Sequence, residues 1–375
     1  MDFGFTEEQQ EIQGLARKIL EDKVTDELLR TVEAAGAERF DRGTWQALGD
    51  ANLLGIGLPE DVGGSGYGII EQYMVLEQVG RTLAPVPVLA SIVSAAMPIA
   101  AFGSDAQKQR WARPAATGEV ILTAALSESL NANPLAPTTT ARREGAGWRL
   151  DGAKTCVPAA TLADAILVPA ATEGGEIAVF IVERGTAGLT VTAQHTTNRD
   201  VEGHLDLSGV RVDADAVLGD ERAGGAILEW IVQRTTLGLC ATQLGVTDRA
   251  LEATATYTAS RVQFERPVAT FQAVGHRCAD AYIDVQGIGL TLWQAAWRLS
   301  AGLPSVKEVA AAKYWASSGG HRVAHAVVHL HGGMGVATEY FIHRYFITAK
   351  QIEFALGSAK EQLLRIGASL AAEPV

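Results

Sequence analysis

The hydrophobic period of this chain changes twice, and that pattern restricts the fold more than any single motif does. From Thr6 to about residue 117, apolar residues recur at helical spacing. Between about 118 and 223 the apolar runs are short, alternating or β-branched, and set apart by turn signals. From about 224 onward, long helical periods return. The pattern predicts an α+β protein in three parts: an N-terminal α-helical domain over 1–117, a middle β domain (barrel or sandwich) over 118–223, and a C-terminal four-helix-type bundle over 224–375.

Local signals fill in this outline. Thr6 and Gln9 form a capping box ahead of Ile12, Leu15, Ile19 and Leu20, which predicts a helix over Thr6–Val24. Further helices are expected over Trp45–Leu54, Ile69–Leu83, Val88–Phe102 and Gln107–Ala112, with a turn-rich loop at 58–68. Strands are expected at Ile121–Ala125, Thr138–Arg143, Trp148–Leu150, Ile166–Pro169, Ile177–Val182, Leu189–Thr192 and His204–Val212. Turns are expected at 144–147, at Asp151-Gly152 and at 173–176. Ala226–Thr258, Phe271–Leu299 and Lys307–Leu330 are each long enough to span a bundle, and a further helix closes the chain.

Composition narrows the function class. A net charge of −12 argues against non-specific nucleic-acid binding and for a soluble, cytoplasmic protein. The cysteines, Cys156, Cys240 and Cys278, lie far apart, which suits a reducing compartment and neither a disulfide framework nor a zinc knuckle. Thr82–Ser104 carries no charge, yet Pro85, Pro87 and Pro98 interrupt it, so a buried helix is expected there rather than a membrane span.

Several common motifs are absent. No G-x-G-x-x-G follows a strand, and there is no Walker A lysine, H-E-x-x-H or G-x-S-x-G. His321, His325 and His329 recur at i, i+4 and i+8, with His331 just beyond. An i, i+8 pair is about 12 Å apart, and no carboxylate or cysteine joins the run, so no metal is expected; these are helix-face histidines, some near an anionic ligand.

Two segments carry a resemblance: SRVQFERPVATFQAVG at 260–275 and HLHGGMGVATEYFIHRY at 329–345. Taken bare, the first is a helix end, a turn and a helix start, and the second a helix stopped by two glycines. Together they resemble the acyl-CoA dehydrogenase family, whose members carry R-x-x-F-G-x-x-x-x-x-F-Q and Q-x-H-G-G-x-G. The loop at 54–66, Leu126-Ser127-Glu128 and DGAKTCVP at 151–158 agree in order, so the likeness covers essentially the whole chain.

The resemblance implies FAD as cofactor. It gives Arg261 to the dianionic pyrophosphate, Phe264 and Gln272 to packing and hydrogen bonding, and Gly332 and Gly333 to close backbone approach, with His329 in place of the family's glutamine. In this family these groups reach the FAD of a neighbouring subunit. Leu126, Ser127, Cys156, Val157 and Ser358 would belong to the flavin site, and Arg234 would meet the CoA end of the substrate. The implied partners are an acyl-CoA, an electron-transferring flavoprotein as acceptor, and other subunits in a homo- or hetero-tetramer, with neither nucleic acid nor membrane.

The chain departs from the family where the chemistry is done. Removing a proton α to a thioester needs a positioned carboxylate. The family's two usual positions for that glutamate hold Leu356, before Gly357, and Gln233, before Arg234. Glu229 and Glu353 are the remaining candidates, each also readable as a solvated or salt-bridged glutamate. The family's Trp–aliphatic–Thr on the flavin strand is Cys156-Val157-Pro158, its glycine after the phenylalanine is Glu265, and residues 131–134 replace a G-S-D-like loop. Residues that would act on a neighbour's FAD are mostly kept, and those of the chain's own flavin and base site are largely changed. The resemblance then implies the base-lacking subunit of a hetero-oligomer, similar to actinobacterial enzymes acting on steroid side-chain CoA esters. The alternatives are a self-sufficient dehydrogenase using Glu229 or Glu353, and a catalytically silent binding or scaffold protein.

Overall fold

The computed structural model describes residues 4–34 and 38–372. In chain order its helices are α1 (Glu7–Lys23), α2 (Asp26–Val32), α3 (Arg42–Asp50), α4 (Ile69–Thr82), α5 (Met97–Phe102), α6 (Asp105–Gln107), α7 (Arg113–Ala116), α8 (Gly224–Ser260), α9 (Gln272–Ser300), α10 (Val306–His331), α11 (Ile342–Phe354) and α12 (Ala359–Ala372). The strands are β1 (Leu122–Ala124), β2 (Thr140–Glu144), β3 (Gly147–Pro158), β4 (Ala165–Thr172), β5 (Ile177–Glu183), β6 (Leu189–Gln194), β7 (Glu202–Val212), β8 (Val262–Gln263) and β9 (Arg266–Pro267). The helical, β, helical order is the one expected from the hydrophobic period.

Two compact units emerge, and neither is a continuous stretch of chain. One comprises Glu27–Gln72 and Pro85–Thr235; the other comprises Met1–Asp26, Tyr73–Ala84 and Thr236–Val375.

The first unit is built on a seven-stranded sheet with strand order β1-β4-β2-β3-β7-β6, β5 pairing with β4. β1 and β2 both run parallel to β4, and the other pairings are antiparallel. Alternation along the strands sends Trp148, Leu150, Val157, Val168, Phe180, Leu205 and Val210 into one buried cluster. The expected turn at Asp151-Gly152 does not form. β3 runs through it, because the Asp151 carboxylate accepts the Gly209 amide at 2.8 Å and the register shifts between Leu150 and Asp151. The extra residue of the resulting bulge is Gly209 of β7, at φ +65, while Gly152 stays within β3 at φ +151 with its missing Cβ directed at the Thr139 backbone.

Among the helices of this unit, α2 has no counterpart in the sequence reading, and α3 ends at Asp50 rather than at Leu54 because Asn52 turns left-handed at φ +55. The uncharged stretch from Leu89 to Ala96 winds more widely, as a π-type helix, before α5 begins. Ile92, Val93, Ala95 and Ala96 are fully buried there, as expected of a core helix. Its Ser91 hydroxyl accepts the Leu122 amide at 3.1 Å and ties this helix to β1. Among the described residues no helix is long and apolar enough to cross a membrane.

In the second unit α8 from Thr236 onward, α9 and α10 supply three long helices, with α11 and α12 completing the bundle. α1 opens with the expected capping box of Thr6 and Gln9. Two glycines allow α4 and α8 to touch backbone to backbone. A Cβ on Gly80 would stand 2.1 Å from the Thr242 carbonyl oxygen, and one on Gly245 would stand 1.8 Å from that of Glu77.

Candidate functional site

The residues expected to meet a dinucleotide collect at one end of the helical unit, and helix register explains why. α9 and α10 pack closely: a Cβ on Gly287 would meet the Trp315 ring at 2.8 Å, one on Gly319 would meet Asp284 at 3.5 Å, and Arg322 Nε donates to Asp284 at 2.9 Å. These pairings run antiparallel, so at about 1.5 Å per residue Gln272 at the start of α9 comes level with the end of α10 at His331. The His331 ring stacks on Tyr257 of α8 at 4.3 Å. That contact brings Arg261, one turn after Tyr257, to the same end.

The surface this creates fits a dianionic dinucleotide. Arg261, Gln272, His329, Gly332 and Gly333 are all exposed. Gln272 stands in the first turn of a 29-residue helix, where unpaired amides favour an anion. Nothing lies within 4 Å of a Cβ built on Gly332 or Gly333, and Gly332 sits at φ +65. A guanidinium, a helix N-terminus and an open glycine turn are therefore presented together.

Between Arg261 and Gln272 the chain forms a hairpin whose two turn residues are Phe264 and Glu265, at φ +53 and +64. This two-residue turn needs left-handed backbone twice, which is why glycine is the usual second residue. Phe264 is 86% exposed at the tip, with its ring edge-on to Phe271 at 6.1 Å. The Arg266 guanidinium lies 4.0 Å from the Phe271 ring. Glu265 adds a carboxylate at the same tip.

In the sheet unit, Leu126 and Val157 are buried, and Val157 belongs to the sheet core. The Ser127 carbonyl accepts the Thr155 amide at 3.0 Å. Cys156 and Pro158 are exposed near the end of β3. The β3–β7 register shifts between Lys154 and Val157, and Cys156 sits in that bulge at φ +48. Its amide donates to the Gln194 side chain at 2.7 Å. Burial, with Glu202 nearby, pushes the Cys156 thiol up, so it is a neutral thiol rather than a nucleophilic thiolate. Pro158 has no amide proton, and its carbonyl is taken by the Thr123 hydroxyl at 2.6 Å.

Beneath this strand lies an ion pair that sequence patterning did not single out. Lys154 Nζ donates to Glu128 at 2.8 Å and to the Pro169 carbonyl at 2.8 Å, with both side chains buried. Glu128 also accepts from the Thr138 and Thr139 amides and hydroxyls and from Asn131. Burial by itself would raise the Glu128 carboxyl, but Lys154 and the threonine donors outweigh it and hold it far below the usual carboxylate range. A lysine inside a strand with alternating burial was the available signal; nothing in the sequence marked Gln194, 38 residues from the amide it occupies.

The two base positions hold no carboxylate. Leu356 stands at φ +55 just after α11, with its carbonyl accepting from Gln362 at 3.1 Å. Ser358 faces Glu361, which accepts both its amide, at 3.0 Å, and its hydroxyl, in the manner of a capping box for α12. Glu353 is ion-paired with Lys350 at 2.6 Å, and His321 Nδ1 lies 3.1 Å from the same carboxylate oxygen. In the other unit, Gln233 donates to Glu229 at 3.1 Å within one turn of α8. The Arg234 guanidinium lies 3.6 Å from the Trp230 ring of its own helix.

Lys313 was not foreseen. It is fully buried and donates to Ser317 at 2.8 Å and to the carbonyls of Ile352 and Glu353 at 2.7 and 3.2 Å. An ammonium thus caps the last turn of α11, the helix leading into Leu356. Burial pushes it down to about 8. Among the described residues no group of three or more His, Cys, Asp or Glu side chains is placed to hold a metal ion; the His321 and His325 rings simply pack 4.4 Å apart.

Comparison with known proteins matches three consecutive families to the chain. They are the acyl-CoA dehydrogenase N-terminal domain over residues 6–119, the middle domain over 123–210 and the C-terminal domain over 223–371. The chain is 45% identical over 382 residues to acyl-CoA dehydrogenase FadE27 of Mycobacterium tuberculosis, with 100% of both chains covered. It superposes with a TM-score of 0.95 on a chain of the ChsE4-ChsE5 complex from Mycobacterium tuberculosis, at 46% identity and 100% coverage of each. A chain of the steroid ACAD Tcur3481-Tcur3483 gives a TM-score of 0.91 at 41% identity, covering 98% of this chain and 99% of that one.

Proposed function

The chain belongs to the acyl-CoA dehydrogenase family, and we propose that it serves there as the subunit lacking the proton-abstracting carboxylate in a hetero-oligomeric enzyme. Family members are flavoproteins that oxidise CH–CH bonds of acyl-CoA thioesters, and FAD is their cofactor. Bound FAD supplies the hydride acceptor; the proton leaving Cα must be taken by a protein carboxylate.

The observation that carries the proposal is Leu356. An alkyl side chain occupies the position before Gly357, and it cannot accept a proton. Gln233, at the second usual position, is an amide bonded to Glu229, and the Glu353 carboxylate is held by Lys350 and His321. What the chain keeps is the anion-fitting end of its helical unit. Arg261 would hold the pyrophosphate of a neighbouring subunit's FAD, Phe264 and Gln272 would pack on it and hydrogen-bond it, and Gly332 and Gly333 would admit it to the backbone, with His329 donating alongside. In the sheet unit, Cys156 and Pro158 replace the donors expected toward a flavin held by the chain itself.

The relatives support pairing with a second chain, because one similar structure is a two-protein complex and another is called a steroid ACAD. The proposed substrate is accordingly an acyl-CoA whose acyl group is a steroid side chain. The proposed acceptor is an electron-transferring flavoprotein, and the proposed assembly a heterotetramer of soluble subunits.

The test is purification of the chain alone and co-expressed with its partner. The expectation is little dehydrogenation by the single chain, restored turnover in the complex, and one FAD per two chains. Full turnover by the chain alone would sink the proposal. If Glu229→Gln then abolished that turnover, the self-sufficient reading would replace it; a complex with neither FAD nor activity would favour a silent scaffold.

A further inference from the structure

We propose that His331 is a positioning residue for the dinucleotide-binding edge: held between Thr254 and Tyr340, it fixes the Gly332–Gly335 turn against the end of α8 that carries Arg261. The proposal rests on the reading that this edge receives FAD.

The hydrogen bonds determine how the ring is used. The Thr254 hydroxyl has one proton, and it goes to the Ala250 carbonyl at 2.7 Å inside α8. Its oxygen must therefore act as acceptor toward His331 Nε2, 3.1 Å away, which places the imidazole proton on Nε2. Nδ1 is then an acceptor, and the Tyr340 hydroxyl donates to it at 3.0 Å. The ring is 3% exposed, stacks on Tyr257 and is tilted against Tyr340 at 5.3 Å. The groups facing it are Thr254 and Tyr257 from α8 and Tyr340 from the segment before α11, none of them charged. Burial pushes the imidazole down to about 4, in agreement with the neutral tautomer the bonds require.

Three pieces of chain meet at this ring. Tyr257 offers its carbonyl to the Arg261 amide at 2.8 Å, so the stacked pair lies directly under the arginine. Gly332 follows His331 and reverses the chain at φ +65, ψ −146. Gly335 folds back on α10, where a Cβ would come within 2.5 Å of the Val328 carbonyl oxygen. The exposed glycines make no side-chain contacts of their own. Their placement relative to Arg261 depends on the one imidazole that touches α8, α10 and Tyr340 together.

Tyr340→Phe and His331→Asn test this. Tyr340→Phe keeps the ring packing and removes the donor. Amide exchange across Gly332–Val336 in the full chain is expected to quicken about tenfold, the effect of one lost buried hydrogen bond. FAD affinity of the co-expressed complex is expected to weaken by a similar factor, with the melting temperature little changed. His331→Asn retains an acceptor near the Nδ1 position and should fall between wild type and His331→Ala. Unchanged exchange in Tyr340→Phe overturns the proposal, as does faster exchange with unchanged FAD affinity. A wild-type complex that takes up no FAD overturns the functional reading instead, and the exchange data still decide whether His331 sets the turn.

Discussion

Lys350 holds the Glu353 carboxylate at 2.6 Å, on the helix that runs directly into Leu356. The nearest carboxylate in sequence to a family base position is thus spent on an ion pair, and His321 Nδ1 lies 3.1 Å from the same oxygen and 2.9 Å from Lys350 Nζ. A base must be free to reach the substrate, and a carboxylate tethered to a neighbouring ammonium is held in place on its own helix.

Glu353→Gln should therefore leave turnover of the assembled enzyme within about twofold of wild type. Its cost should be about 1 kcal/mol of stability, the scale of a partly exposed pair. Steady-state kinetics with an acyl-CoA and an artificial acceptor would check this; a thousandfold loss of turnover would make Glu353 the base after all.

Glu265 occupies the second position of the β8–β9 turn at φ +64. A non-glycine residue there costs about 1–2 kcal/mol, offset in part by the larger unfolded-state entropy of glycine. Glu265→Gly is expected to raise stability by about 0.5–1 kcal/mol in urea titrations. It also removes an anion from the dinucleotide edge, so FAD should bind more tightly in calorimetric titration; weaker binding would speak against the assigned edge.

Glu128→Gln should be among the most damaging single changes in the sheet unit, at about 3–5 kcal/mol, because it leaves the Lys154 ammonium buried without its countercharge. Glu128→Gln with Lys154→Met should recover part of that loss. The pH dependence follows from the direction of the shift. The folded carboxyl lies far below its unfolded value, so its contribution is complete above about pH 5 and fades as the pH falls below the unfolded value near 4.5. Acid unfolding followed by circular dichroism should be shallower below pH 4.5 in the double variant.

Lys313 makes the opposite kind of prediction. Its folded value, lowered to about 8, lies below the unfolded 10.5, so between those limits the unfolded chain binds more protons. Stability should therefore rise with pH across that interval, by an amount of order 1–3 kcal/mol. Lys313→Met should lose this rise; identical slopes for both proteins between pH 8 and 10 would show that the ammonium is not desolvated as its burial implies.

Much of this protein is determined by sequence alone, because its signals are local. Periods of 3.6 and 2 need only neighbouring residues, which is why the helical, β, helical order, the Thr6–Gln9 cap and the long bundle helices could be read directly. Arg261, Gln272 and the Gly332-Gly333 pair were singled out as candidates by residue type and spacing within the family-like motifs alone, and the absence of glutamate at 233 and 356 is plain in the sequence. Tertiary structure decided what depends on distant partners. Asp151-Gly152 stayed within β3 because Gly209, the bulged residue of β7 far along the chain, donates to Asp151. Cys156 lost its amide to Gln194, Glu353 its free carboxylate to Lys350 and His321, and Lys313 its solvent to the end of α11. His331 gives the clearest case, since a histidine before two glycines reads as a helix end. Only Thr254, Tyr257 and Tyr340, brought together by packing, fix its tautomer and make it the contact on which the glycine turn depends.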